Sequence, residues 1–287
     1  MTTLAELTYL TAVELKSVRE GVLTTAGMGT VVDTQRTEGA DYWNKGPFWV
    51  TYANNGSAPT WEYATVADFD SGTLIFSSSI PFTASVPLGA SYAVGRRRYP
   101  LDIIRQQLNM AYKLLDNVPM TDESLTTAAQ TTEYDIPEAA QRDLRQVWIK
   151  TRTAVSSDPG WVEYQQKIWR QETSHLYLPQ LGIGDTIKLV YVGTPPMLVE
   201  YSDTISDLIH PSRLIYKAAA GVILWRAGRL TGNQRSALMD EARRLLEEDQ
   251  RAMYDHPIVL PPRPAKGLMV TLGRSEVEDE FTTPGPA

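Results

Sequence analysis

Three histidines, a pair of aspartates, a triple of arginines and a dense aromatic stretch are the residues of this chain whose types could do chemistry. A metal site readable from sequence needs imidazoles or carboxylates at ligand spacing, such as two histidines one helical turn apart. His175, His210 and His256 are far from one another, so they read as isolated surface or turn histidines and predict no metal site. Asp68 and Asp70 in "VADFD" are two residues apart, which on a strand directs both carboxylates to one face, as a paired acid or calcium ligands would require. The "DSG" that follows favours a simpler role, a polar strand end running into a turn. The glycines of "TTAGMGT" and "LGIGDT" lack the spacings that cradle phosphates, and no G-x-S-x-G elbow presents a serine. The chain has no cysteine, which excludes thiolate metal sites, disulfides and cysteine nucleophiles. No cofactor is expected, and no enzymatic reaction.

Two clusters remain, and both suit recognition better than bond-making. Tyr42, Trp43, Phe48, Trp49, Trp61 and Tyr63 are dense enough for a sugar-stacking platform, and Trp49 and Trp61 flank the polar loop "NNGSAP". Small β-modules fill their cores with such rings, so core packing is the expectation and carbohydrate binding the alternative. Arg96, Arg97 and Arg98 in "GRRRYP" offer planar cations able to meet phosphates, carboxylates or an acidic surface. In a chain of formal net charge -7 the cluster reads as an interface anchor, not a nucleic-acid clamp.

Positioning these residues falls to four predicted helices and two β-rich stretches. Thr3 and Glu6 have capping-box spacing, which predicts a helix over 4–19 that stops before Gly21. Residues up to 95 then change to short β-branched and aromatic runs, "TVVDT", "PFWVTYA", "TWEYATVADFD", "GTLIFSS" and "ASYAVG". Leu101, Ile104, Leu108, Ala111 and Leu115 recur at three-to-four spacing behind Pro100, predicting an amphipathic helix over 100–115. Residues 119–200 return to β texture, with strands expected at "EYDIP", "LRQVWIKT", "WVEYQQKIWRQE", "HLYLP" and "DTIKLVYVGTP", and "LGIGD" as a hairpin turn.

The stretch "HPSRLIYKAAAGVILWRAGRL" predicts a helix over 211–229, followed by an Arg- and Glu-rich helix over 234–254 that completes an αα-hairpin. Ala218, Gly221 and Val222 would admit a neighbouring helix closely, while Leu214 and Trp225 supply buried area. Beyond His256, prolines deny regular structure, and an extended arm over 257–287 is expected, carrying the apolar run "GLMVTLG" and an acidic end. The expected architecture is α+β: a bundle of about four helices (1–29, 97–118 and 206–256), β-modules over 30–96 and 119–205, and the arm. With 287 residues and 43% hydrophobic content the chain is long enough for a real core. Its apolar runs are too short to span a bilayer and "MTTLAELTYL" lacks signal-peptide character, so no membrane role is expected.

Several stretches in order, "DTQRTEGADYWNKGPFWV", "LGASYAVGRRRYPLDIIRQQLNMAYKLL", "TTEYDIPEAAQRDLRQVWI", "DTIKLVYVGTPPML" and "DLIHPSRLIYKAAAGVILWR", together resemble the adaptor, or head-to-tail connector, proteins of tailed bacteriophages. The resemblance implies a virion neck protein made in the host cytoplasm. It implies a homo-oligomeric ring of about twelve copies under the portal protein, meeting a tail nozzle, tube or fibre proteins below. Genomic DNA would pass through it without being gripped, and Glu241, Glu247, Glu248 and Asp249 are candidates for an acidic lumen. The interface candidates are Arg96, Arg97, Arg98, Trp225 and, on the arm, Leu268, Met269, Val270 and Leu272. That arm run could add a strand to another subunit. A carbohydrate-binding or tail-fibre-attachment module is the alternative function.

Overall fold

A computed structural model of the chain describes residues 2–78, 81–150, 160–164 and 169–262. These divide into a larger unit, Met1–Thr121 with Tyr191–Leu260, and a smaller one built on Asp122–Val190. The larger unit opens with helix α1 (Leu4–Glu14). Its start is the capping box: the Thr3 hydroxyl accepts from the Glu6 amide at 3.2 Å, and the Glu6 carboxylate accepts from the Thr3 amide at 2.8 Å. The helix stops five residues sooner than its sequence suggested. Lys16 takes a left-handed φ of 49°, and the residues expected to finish the helix become strand β1 (Val18–Val22).

Five further strands follow: β2 (Thr30–Val32), β3 (Pro47–Tyr52), β4 (Glu62–Asp70), β5 (Thr73–Phe76) and β6 (Ser91–Gly95). They form one sheet in the order β1-β6-β3-β4-β5-β2, with Trp49 opposite both Tyr63 and Ala93. Alternation along β3 sends Phe48 and Val50 into an all-β core with Val94, Leu74 and Phe82, while Trp49 goes the other way into a core shared with helices. Both faces of the centre of the sheet are therefore buried, which is why β3 reads as a near-continuous apolar run.

The shared core is closed by α2 (Leu101–Lys113), α3 (Ser212–Ala227) and α4 (Gly232–Asp255). Helix α3 packs against α1, α2 and α4. Its small residues permit this: a Cβ on Gly221 would lie 2.2 Å from the Gln107 carboxamide oxygen of α2. Lys217, which interrupts the apolar run, has an electrostatic task. Burial raises the pKa of Asp249 on α4, and the positive charges of Lys217 and Arg213 act against that rise. Trp225 is half-buried, not at the centre of the core, and the Arg229 guanidinium lies 3.9 Å from its ring.

The smaller unit holds most of two antiparallel sheets, with β7 beginning and β13 ending in residues of the larger unit. Its strands are β7 (Val118–Thr126), β8 (Glu133–Asp135), β9 (Leu144–Lys150), β10 (Trp161–Tyr164), β11 (Arg170–Glu172), β12 (His175–Tyr177) and β13 (Thr186–Gly193). The orders are β10-β9-β13-β7 and β11-β12-β8. The single strand expected over "WVEYQQKIWRQE" is two, β10 and β11, in different sheets, and "LGIGD" joins strands of different sheets and so makes no hairpin.

These observations correct the expected fold class. Thirteen strands in three antiparallel sheets outweigh four helices among the described residues, so the chain is mostly β, not a helical bundle with inserted β-modules. The physical reason lies in the core. The apolar stripes of the helices find one another, but they also find Trp49 and Ala93 of the sheet, so the sheet is a wall of the core and not an appendage to it. Leu268, Met269, Val270 and Leu272 lie outside the described residues.

Candidate functional site

The arginine triple sits where β6 hands over to α2. Arg96, Arg97 and Arg98 line a surface concavity of about 430 Å³ with Ala40, Asp41 and Tyr42. The Arg96 guanidinium is 5.5 Å from the Tyr42 ring and that of Arg98 is 5.1 Å from the Tyr99 ring. Arg226 of α3 comes to the same ring at 5.3 Å and donates to the Tyr99 hydroxyl at 3.2 Å. Arg98 Nε is buried without a hydrogen-bond partner, and no ion pair neutralises any of the three among the described residues. Aromatic faces hold such cations in place without cancelling their charge, so the cluster keeps its attraction for an acidic or phosphate-bearing surface.

A second surface lies on the outer face of α2. A groove of about 520 Å³ runs between Arg105, Asn109, Met110 and Lys113 on the helix and the extended residues 195–199. The sequence dictates its far wall: Pro195 and Pro196 cannot donate to a ladder, so the chain leaving β13 stays extended. Asn109 then fixes it from the side, its amide nitrogen donating to the Leu198 carbonyl at 2.9 Å and its oxygen accepting from the Leu198 amide at 2.8 Å. Arg105 donates to the Val199 carbonyl at 2.6 Å. Its solvent-facing lining is mixed: Met197 is 74% exposed and Met110 and Val199 each 51%, beside the exposed Asp102, Gln106 and Lys113 of α2.

The remaining candidates are accounted for by structure. Trp43, Phe48 and Trp49 are fully buried, so the aromatic stretch is largely core, and these three rings are closed to a sugar. Asp68 accepts from Asn44 at 3.1 Å, and Asp70 accepts from Ser71 at the turn. Glu62, at the opposite end of β4, is hydrogen-bonded to Thr83. Of the four acidic residues considered for a lumen, Asp249 is only 8% exposed and Glu248 pairs with Arg251 at 2.9 Å.

The histidines are not isolated. His210, just before α3, and His256, which caps α4, stack with ring centroids 3.7 Å apart, and burial together with its neighbour holds the pKa of His210 below its usual value. His175 Nδ1 is 2.9 Å from Asp135 across the β12–β8 pair. Among the described residues, no three His, Asp or Glu side chains converge as metal ligands would, and no helix is long and apolar enough to cross a membrane. The stacked pair and the groove were both missed by sequence reasoning. A signal for the groove was present, since Met110 breaks the polar face of α2 and "PPMLV" marks an extended apolar segment.

A sequence model of the SU10 adaptor protein family, a family of phage adaptors, matches residues 83–261, more than half of the chain. The protein belongs to the SU10 adaptor protein family. It is accordingly a structural adaptor of a bacteriophage and a component of the virion. No curated protein matches the chain. The matched span of this adaptor takes in the arginine cluster, the groove, β6 to β13 and α2 to α4, and leaves out α1 and strands β1 to β5.

Proposed function

We propose that this adaptor forms a cyclic ring, of about twelve copies, under the portal protein, joining head to tail and enclosing a passage for the genome. Catalysis has no part in this reading. The observation that carries it is the arginine cluster within the family-matched span: three cations in no ion pair among the described residues, outnumbering the Asp41 carboxylate that shares their concavity, displayed at the joint between the sheet and α2. Such a site recognises an acidic protein surface, and the acidic balance of the rest of the chain disfavours gripping DNA. Trp225 under Arg229 adds a second aromatic-cation pair on α3. Residues 257–287 are proposed to act as an arm that engages a neighbouring protein.

Co-sedimentation of the full chain with purified portal rings tests the proposal, with the mass of the bound assembly giving the copy number. Reversing Arg96, Arg97 and Arg98 to Glu should abolish binding while the helical circular dichroism stays native. Undiminished binding by the folded triple variant would remove the arginine cluster from the interface.

A further inference from the structure

The arginine cluster attracts carboxylates, and the chain itself carries a dense run of them. Glu276, Glu278, Asp279 and Glu280 put four acids within five residues, a density reached nowhere else in the sequence, with Arg274 as the nearest base. On the cluster's side, Arg96, Arg97 and Arg98 share their concavity with one carboxylate, Asp41, and that one is committed: its Oδ1 accepts from Asn44 at 2.5 Å. Arg97 is exposed, and Arg98 Nε is buried without a hydrogen-bond partner. A guanidinium stacked on a ring, as Arg96 is on Tyr42 and Arg98 on Tyr99, still has in-plane N–H groups to offer a carboxylate. Three bases against one occupied acid therefore face a segment in which four acids stand against one base.

Connectivity brings the two within reach of one another. His256 at the end of α4 stacks on His210 just before α3, so the chain sets out for its C-terminal residues from the start of α3. Arg226, in the last turn of α3, meets Tyr99 beside Arg98, so the cluster sits at the other end of that helix. The 16 residues of α3 put about 24 Å between the two points. Fifteen residues lead from Pro261 to Glu276, with prolines confined to the first four. Such a tether extends to at most about 50 Å and averages roughly 20 Å when flexible. A tether whose mean reach matches the span holds its end near the site at an effective concentration on the order of 1 mM. The same segment of another copy competes only at its bulk concentration, so the chain's own acidic run is the favoured occupant.

We propose that in the free chain the acidic run Glu276–Glu280 folds back onto the chain's own arginine cluster and masks it until a stronger acidic surface displaces it. This rests on the reading above, in which the cluster meets the portal, and adds that the docking face is closed before assembly. Its opening releases residues 257–287 toward a neighbouring protein. The probe is a fluorescent peptide of residues 274–283, RSEVEDEFTT. If it binds the open cluster at about 100 µM, a tethered competitor at about 1 mM weakens it by about tenfold. The parent chain should therefore bind it about tenfold more weakly than a full-length variant carrying Glu276→Gln, Glu278→Gln, Asp279→Asn and Glu280→Gln. Arg97→Glu, at the exposed member of the cluster, should abolish peptide binding by that variant. The chain has no cysteine, so Ala40→Cys at the rim of the concavity with Val277→Cys in the same chain should, on oxidation, close a disulfide within the monomer.

Equal peptide affinity for the parent and neutralised chains, peptide binding untouched by Arg97→Glu, no disulfide, or a disulfide that joins two copies would each overturn the proposal. Portal co-sedimentation is scored separately, and neutralising the run should tighten it by about tenfold. Portal binding that is lost on reversing the arginines yet unchanged by neutralising the run refutes the fold-back and leaves the adaptor reading standing. A fold-back disulfide in a chain whose reduced form never loads onto the portal does the reverse.

Discussion

Replacing Thr8 by Val tests whether one buried hydrogen bond ties the sheet to the helices. The Thr8 hydroxyl of α1 accepts from the Trp49 indole of β3 at 2.9 Å and donates to the Ala5 carbonyl at 2.8 Å, and both side chains are fully buried. Valine keeps the shape and the β-branch of threonine, so the perturbation is chiefly the loss of the acceptor. The indole N–H is then sealed from water without a partner, at a cost of about 1–3 kcal/mol. For a unit of this size that is a drop in Tm of roughly 2–12 °C. The four α-helices of the described residues all belong to the larger unit, so thermal melting of the helical circular dichroism band reports on that unit. Trp49→Phe removes the donor, and in that background Thr8→Val should cost much less. The reasoning fails if Thr8→Val costs under about 0.5 kcal/mol, the range of an ordinary surface change, or costs as much in the Trp49→Phe background as in the parent chain.

Three other outcomes are expected. Tyr9 donates to Glu20 at 2.5 Å, and burial with that bond pushes its pKa up to about 12; the neutral phenol is favoured in the fold, so its stabilisation is complete below about pH 10 and fades as pH rises toward 12. Tyr9→Phe should therefore lose less stability than the parent chain between about pH 9 and about pH 11, and equal losses in denaturant midpoint would contradict this. Burial raises the pKa of Asp249 despite Lys217 and Arg213, so its protonated form is the better fit. Stability should fall as pH rises above the ordinary carboxylate range, and Asp249→Asn should abolish that fall and stabilise the chain at neutral pH, as read from unfolding midpoints at acidic and neutral pH. Asn109→Ala strips both partners from the Leu198 backbone at a cost of about 1–3 kcal/mol; amide exchange at Met197, Leu198 and Val199 should accelerate, and unchanged exchange would show that the groove wall holds itself.

Local signals were legible where chemistry acts between near neighbours. Thr3 with Glu6 marked the start of α1, Pro100 the start of α2, the aromatic and β-branched run "PFWVTYA" strand β3, and the alternation in "DTIKLVYVGTP" strand β13. The small residues of α3 also foretold a close neighbour, which the contact of Gly221 with Gln107 bears out. What failed was everything decided at a distance. The end of α1 depends on the reversal at Lys16 that lets β1 pair with β6. The balance of fold class turned on Trp49 and Ala93 joining the helices' core, which no periodicity within either stretch records.

The site divides in the same way. Arg96, Arg97 and Arg98 are adjacent in sequence and were found as a cluster, but their aromatic supports, Tyr42 and the Tyr99–Arg226 contact, come from up to 127 residues away. His210 and His256 stack because the α3–α4 hairpin returns the chain to its starting level. Trp225 was expected both to supply buried area and to meet a partner; it is half-buried, and the charged Arg229 one helical turn on lies against its ring.

The chain leaves the larger unit within β7 and re-joins it within β13, and those two strands are hydrogen-bonded neighbours. Departure and return thus occur side by side, as at the neck of a graft. Any exchange of residues 122–190 for another module would have to keep the pairing of β7 with β13, because each of these strands has residues on both sides of the boundary.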